Sequence, residues 1–234
     1  MQSSQAIILA GGLGTRLRSA VPDLPKCMAP VAGKPFLYYV IEHFRGQGID
    51  QIIFSLGYMY EVIQEWLAKE YSSLSYKCSI EETPLGTGGA IKLACALADT
   101  KTVIVANGDT LFKADFSKLL SFYHMCGADC ALELKPMKDF NRYGVVELNN
   151  NYSIRSFQEK KHYADGYING GLYALNKGKF LAEQLPEKFS FEKDYLEKFY
   201  KERRMFGVVQ DEYFIDIGIP EDLEKAQIDL KREA

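Results

Sequence analysis

Apolar positions in the first half of the chain alternate between two patterns. Residues 6–10, Ala-Ile-Ile-Leu-Ala, form a short unbroken apolar run, as expected for a strand covered on both faces. Residues 51–56 and 102–106 repeat the pattern, and 76–81 reads as a further strand. Between these runs the spacing becomes helical. Leu37, Val40, Ile41 and Phe44 share a face over 35–44, Val62, Ile63, Trp66 and Leu67 share one over 61–71, and 88–98 is Ala-rich. Strands alternating with helices predict parallel strands joined by right-handed crossovers. Ligands of such sheets sit beyond the carboxyl ends of the strands. The loops after the first, third and fourth strands are therefore expected to line one crevice.

The second half is richer in strands. Candidates are 128–134, 144–148, 153–158, 167–174 and 204–209, with helices at 176–185, at 191–200 and from Pro220, a residue suited to a helical first turn. No Pro/Gly/Ser linker, internal repeat or low-complexity stretch separates the halves, so 1–234 is expected to be a single domain with halves of about 1–110 and 111–234.

Composition removes several classes. With 47% hydrophobic and 13% aromatic residues the chain is not a solvated coil. Lys and Arg number 28 against 31 Asp and Glu, a formal charge of −3, which argues against nucleic acid as a partner. The five cysteines are scattered without a C-x-x-C pair, and with three histidines they make a poor zinc ligand set. Reduced thiols in a cytoplasmic protein are expected. The first apolar run is shorter than a signal-peptide core, and no run is long enough to span a membrane.

The chemistry concentrates in the loops. Residues 11–16 read Gly-Gly-Leu-Gly-Thr-Arg directly after the first strand. Three glycines permit a tight turn and close approach of backbone N–H groups to an anion. Arg16 adds a permanently charged fork, and Lys26 follows ten residues on. The dinucleotide fingerprint fails because Leu17 stands where its third glycine belongs, and the G-K-[ST] of a P-loop is absent. Taken alone, the loop favours a phosphate role over a turn whose glycines serve only geometry, but weakly.

The longer pattern is more specific. Residues 9–17, Leu-Ala-Gly-Gly-Leu-Gly-Thr-Arg-Leu, followed by Pro25-Lys26, resemble the signature of the sugar-phosphate nucleotidyltransferases. Matches continue in order through Pro84-Leu-Gly-Thr-Gly-Gly89, Asn107-Gly-Asp109, Tyr143-Gly144, Glu159-Lys160, Asn169-Gly-Gly171 and Asp216-Ile-Gly-Ile-Pro220, covering about residues 5–225. The resemblance implies an α/β, Rossmann-like (GT-A-like) fold with a central, mostly parallel mixed sheet flanked by helices. Its first half would bind the nucleotide and its second half the sugar phosphate. The reaction implied is attack of a sugar 1-phosphate oxygen on the α-phosphorus of a nucleoside triphosphate, with pyrophosphate leaving.

Roles follow from the same resemblance. Arg16, Lys26 and Asp109 would be catalytic, and Asp109 with Asp216 would hold Mg²⁺. Leu9, Gly11, Gly12, Gly14, Thr15, Glu81, Gly86, Thr87 and Gly88 would bind the nucleotide, with the base stacked on glycine backbone at 86–89. Tyr143, Gly144, Glu159, Lys160, Asn169 and Tyr173 would bind the sugar phosphate. Ordinary structural readings stand beside these: Asp109 as a turn former, Asp216 as a helix cap, Glu159 and Lys160 as a solvated pair, Tyr173 as core, and Glu81 as an exposed strand end. Glu81 stands where many relatives carry a base-reading Gln. Its carboxylate can accept two hydrogen bonds from guanine, which favours GTP.

Pro30-Val-Ala-Gly-Lys-Pro-Phe36, Glu82-Thr-Pro-Leu-Gly-Thr-Gly-Gly-Ala-Ile91, Leu134-Lys-Pro-Met137 with Arg142-Tyr-Gly144, Glu187-Lys-Phe-Ser-Phe-Glu192 and Tyr213-Phe-Ile-Asp-Ile-Gly218 make the chain resemble, within the family, the branch that guanylylates D-glycero-α-D-manno-heptose 1-phosphate for bacterial surface polysaccharides. One departure is Cys27, where relatives usually carry Pro. Mannose 1-phosphate guanylylation, uridylyl or thymidylyl transfer to another hexose 1-phosphate, and a non-catalytic nucleotide-sugar sensor are the rival expectations. A monomer or homodimer is expected, with no membrane partner.

Overall fold

The computed structural model describes residues 5–12, 14, 17 and 21–231. β1 (Gln5–Leu9) is followed, after the glycine loop and a 3-10 turn at Lys26–Met28, by a tight hairpin of β2 (Pro30–Val31) and β3 (Lys34–Pro35). Then come α1 (Phe36–Gly46), β4 (Gln51–Leu56), α2 (Tyr60–Glu70), β5 (Ser75–Ile80), α3 (Gly86–Cys95) and β6 (Thr102–Asn107). β1 pairs in parallel with β4 on one side (Ile7 opposite Ile53) and with β6 on the other (Ile7 opposite Val105), and β4 pairs in parallel with β5. The chain thus steps outward from β1 to β5 and returns to the far side of β1. That reversal opens a crevice beyond the ends of β1 and β6.

The second half contributes β7 (Thr110–Phe112), α4 (Phe116–Cys126), β8 (Cys130–Phe140), β9 (Val145–Leu148), β10 (Ile154–Gln158), β11 (Tyr163–Asn176) and α5 (Lys177–Leu181). A π-helical turn at Phe191–Leu196 runs into α6 (Glu197–Phe199), followed by β12 (Met205–Val209), β13 (Phe214–Asp216) and α7 (Pro220–Asp229). The result is one seven-stranded sheet, ordered β12-β8-β11-β6-β1-β4-β5. β11 runs antiparallel to both β6 and β8, so the sheet is mixed, as expected. Alternate residues of β1 feed two cores. Ala6 and Ile8 join α1, α2 and α4 on one face, and Ile7 joins α3, α5 and the π-helical turn on the other. Among the described residues no helix is long and apolar enough to cross a membrane.

Several elements depart from expectation: β2 and β3 were not expected, and β8 and β11 run on to Phe140 and back to Tyr163. α4 lies where the hydrophobic pattern above gives no element, although Asp115 caps its first turn by accepting from Ser117 N at 2.8 Å and Gly127 ends it at φ +54°. The helix expected over 176–185 stops at Leu181. β7 and β13 are three residues each and pair only with one another, a contact between distant segments that leaves no local trace.

Candidate active site

Pro25 leads into the 3-10 turn that carries Lys26, anchored by the buried side chains of Cys27 and Met28. Gly14 lies over this turn at φ +57°, and a Cβ there would stand 2.9 Å from the Cβ of Lys26. Glycine is needed both for the left-handed backbone and for the contact. The Lys26 side chain, only 12% exposed, donates to Asp109 Oδ2 at 2.6 Å and to Asp216 Oδ1 at 3.3 Å. Asp109 sits in the turn between β6 and β7, and Asp216 ends β13. The β7–β13 ladder sets Asp216 opposite Thr110, and Ile217 N donates to the backbone oxygen of Asp109 at 3.1 Å. Two short strands therefore bring the expected carboxylates to one ammonium.

Two clefts meet at this cluster. One, of about 280 Å³, is lined by Leu9, Gly12, Gly14, Lys26, Thr87, Asn107, Asp109 and Gly218. The other, of about 470 Å³, shares Lys26, Asn107 and Asp109 and adds Tyr143, Gly144, Glu159, Lys160, Asn169, Glu192, Lys193 and Asp216. Many of the residues expected to bind the two substrates thus line adjoining spaces whose common wall includes Lys26, Asn107 and Asp109, whereas Gly11, Glu81, Gly86 and Gly88 line neither space. Thr15 and Arg16 lie outside the described residues.

On the first side, several expected contacts have a different physical basis. Gly12 has open space around its Cβ position. Gly11 does not: a Cβ would meet Gly57 N at 2.9 Å, so this glycine lets two backbones pack. Glu81 is half-buried and not an exposed strand end. Its Oε2 accepts from Leu85 N at 2.9 Å, and burial pushes its carboxyl up from the usual range against that hydrogen bond. Gly86, Gly88 and Gly89 also have a packing role. A Cβ at Gly88 would lie 2.1 Å from the Phe189 ring, one at Gly86 2.5 Å from Phe189 O, and one at Gly89 2.4 Å from Glu187 O. The space these glycines leave is filled by segment 187–191. Thr87 is also engaged, donating to Glu192 Oε2 at 2.7 Å and accepting from Phe191 N at 2.8 Å.

On the second side, the Tyr143 phenol lies in the field of the Asp216 carboxylate. Burial, reinforced by that carboxylate's charge, pushes the phenol well above its usual range. Gly144 allows the chain to cross Gln158 O, which a Cβ would approach to 2.3 Å. Tyr173 is 1% exposed and packs in the core, yet it is also among the residues that line the second cleft. Its hydroxyl accepts from Asn169 Nδ2 at 2.9 Å while Asn169 Oδ1 accepts from Gly171 N at 3.0 Å, which fixes the amide at the cleft wall. Glu159 is not paired with its neighbour Lys160. It takes the ammonium of Lys193 at 2.8 Å, and Lys193 also reaches Glu197. Lys160 forms no ion pair among the described residues. Glu192 and Lys193 were not anticipated as lining residues, since their stretch reads as the charged face of a surface helix.

Cys27 changes little chemically. It is 3% exposed, and burial pushes its thiol up to about 12. Among the described residues no group of three His, Cys, Asp or Glu side chains is placed to hold a metal. Asp109 and Asp216, both within 3.3 Å of one nitrogen, offer a two-carboxylate set open to the clefts. That set suits Mg²⁺, which takes one or two carboxylates and fills its shell with phosphate oxygens and water.

Comparison with known proteins fits this geometry. The profile of the Nucleotidyl transferase family matches residues 5–233. The chain is 49% identical over 227 residues to the D-glycero-alpha-D-manno-heptose 1-phosphate guanylyltransferase of Aneurinibacillus thermoaerophilus, covering 97% of this chain and 98% of that one. It is 47% identical over 219 residues to the protein of the same name from Campylobacter jejuni, covering 93% and 96%. The crystal structure of HddC from Yersinia pseudotuberculosis complexed with GMP-PN superposes with a TM-score of 0.89 at 39% identity, covering 97% of this chain and all of that one.

Proposed function

The chain belongs to the nucleotidyl transferase family, and on that premise we propose that it transfers the guanylyl group of GTP to D-glycero-α-D-manno-heptose 1-phosphate. A phosphate oxygen of the sugar phosphate forms the new bond to the α-phosphorus of GTP. The bond from that phosphorus to the β-phosphate bridge oxygen breaks, pyrophosphate leaves, and GDP-heptose remains. The observation that carries the reading is the placement of Lys26 between Asp109 and Asp216 where the two clefts join.

The chemistry asks little of the protein in proton transfer. A phosphate monoester with a second pKa near 6 is already mostly dianionic at neutral pH. No general base is needed, and no histidine lines either cleft among the described residues. The task is to bring two polyanions into line and to neutralise the charge that moves to the leaving pyrophosphate. Lys26 supplies a fixed cation there, and Arg16 a second by family resemblance. Asp109 and Asp216 would hold Mg²⁺, which when bound supplies divalent charge to the phosphate oxygens. Tyr143 and Gly144 wall the sugar ring, and Lys160, which forms no ion pair among the described residues, clamps the sugar's phosphate. Asn169 and Glu159 meet sugar hydroxyls, Glu159 by exchanging its contact with Lys193. Glu81 selects guanine with the oxygen not committed to Leu85.

Both substrates are soluble small molecules, and the reading places the protein in the cytoplasm as a monomer or homodimer. The test is a matrix of four nucleoside triphosphates against several sugar 1-phosphates with Mg²⁺, scored by pyrophosphate release. GTP with the heptose phosphate is expected to be the best pair. Release from no pair would remove the enzymatic reading, and a better pair elsewhere in the matrix would replace the substrates named.

A further inference from the structure

The hydroxyl of Thr87 crosses the partition between the two clefts. Thr87 lines the first cleft and Glu192 the second, and neither residue lines the other's space. Their 2.7 Å hydrogen bond joins the first turn of α3 to the π-helical turn. Glu192 Oε2 also accepts from Ser190 Oγ at 3.0 Å. One carboxylate oxygen is thus saturated by two hydroxyls, while Oε1 has no hydrogen-bond partner and the residue no cationic partner among the described residues. A half-buried carboxylate held this way presents a single directed acceptor to the second cleft.

The surroundings make the link stiff. Phe189 N donates to Leu85 O at 2.9 Å, Gly88 N donates to Phe189 O at 3.0 Å, and Phe191 N donates to Thr87 Oγ1 at 2.8 Å. The glycines at 86, 88 and 89 permit this close backbone approach. The first turn of α3 and the π-helical turn are therefore tied by three backbone N–H donors besides the Thr87–Glu192 bond.

We propose that Thr87 is a positioning residue for the sugar phosphate: its hydroxyl aims the free oxygen of Glu192 at a sugar hydroxyl, so a residue on the nucleotide side sets affinity on the sugar side. This rests on the proposed function for the identity of the two substrates.

The experiment is steady-state kinetics with GTP and heptose 1-phosphate, plus calorimetric Kd values for GTP, on the wild type, Thr87→Val, Thr87→Ser, Glu192→Gln and the Thr87→Val/Glu192→Gln double variant. Thr87→Val is expected to raise KM for the sugar phosphate about tenfold, the effect of one lost hydrogen bond to a charged group. Thr87→Ser should restore the KM. Glu192→Gln, at a residue that lines only the second cleft, should raise the sugar KM while the Kd of GTP stays within about twofold. The double variant should be no worse than Glu192→Gln alone. Equal losses in GTP Kd and sugar KM in Glu192→Gln, a KM that Thr87→Ser does not restore, or effects that multiply in the double variant, would overturn the link. Should Thr87→Val fail to fold, Glu192→Gln decides, because an unchanged sugar KM in that variant also sinks the proposal. Wild-type turnover of the heptose phosphate reports separately on the substrate. If another sugar phosphate is preferred, the same comparison is made with it.

Discussion

Asp216 stands opposite Thr110 in the β7–β13 ladder, and this register carries its carboxylate to the ammonium already bound by Asp109. Shifting β13 by one residue would turn Asp216 to the opposite face. The proposed reaction centre therefore depends on a pair of three-residue strands, each too short to be stable alone, that lie in the chain between β6 and α7.

Asp109→Asn and Asp216→Asn each keep side-chain size and remove one charge. Turnover is expected to fall by about 100-fold or more in either variant, by comparison with loss of one preorganised charge-stabilising group. Circular dichroism and thermal melting should show an intact fold. A near-normal rate of pyrophosphate release at saturating Mg²⁺ would show that the carboxylate concerned holds no metal.

Glu81→Gln replaces one acceptor oxygen with a donor group while keeping the shape that bonds Leu85 N. The ratio of kcat/KM for GTP over UTP is expected to drop by about tenfold, one hydrogen bond to a charged group. An unchanged ratio would move base selection to the backbone of the loop.

Gly88→Ala sets a methyl group 2.1 Å from the Phe189 ring. Relieving that overlap should destabilise the protein by about 1–3 kcal/mol. For a domain of this size each kcal/mol lowers Tm by roughly 2–4 °C. Because Phe189 is stapled to the loop that carries Thr87, KM values for both substrates should rise as well. A melt matching the wild type would contradict this packing account of the glycine.

Glu133 is fully buried on β8. Its Oε1 accepts from Gln210 Nε2 at 2.7 Å, while Oε2 has no partner among the described residues. Burial pushes its carboxyl up to about 8 from an ordinary value near 4.5. Across that interval the folded protein keeps a proton that the unfolded chain has released. Stability should then decline as pH rises from about 4.5 to 8 and level off above, by at most about 1.4 kcal/mol per pH unit from this group. Glu133→Gln stays neutral throughout and removes this dependence. Urea midpoints of the two proteins should diverge between pH 5 and 8, and parallel curves would refute the assignment.

Much of residues 5–107 was legible from local pattern. The buried run of β1, the helical faces of α1 and α2, and the loop glycines each declare themselves within about ten residues. The glycines at 86–89 were recognised by family resemblance, but their packing reason was hidden, because the ring they admit lies a hundred residues away at Phe189. Tyr173 was ambiguous for a similar cause. Its alternating strand pattern is compatible with either face, and only the sheet order buries it.

The chain alone determined the alternation of strands and helices, the class of fold and the stock of charged residues available for phosphate chemistry, since these follow from periodicity and residue type. Tertiary structure decided which of those residues meet. The convergence of Lys26, Asp109 and Asp216, the exchange of Glu159 from Lys160 to Lys193, and the bond from Thr87 to Glu192 all join segments far apart in the chain. Such contacts are set by strand register and by the close passage of backbones, neither of which leaves a mark in the local order of apolar and polar side chains.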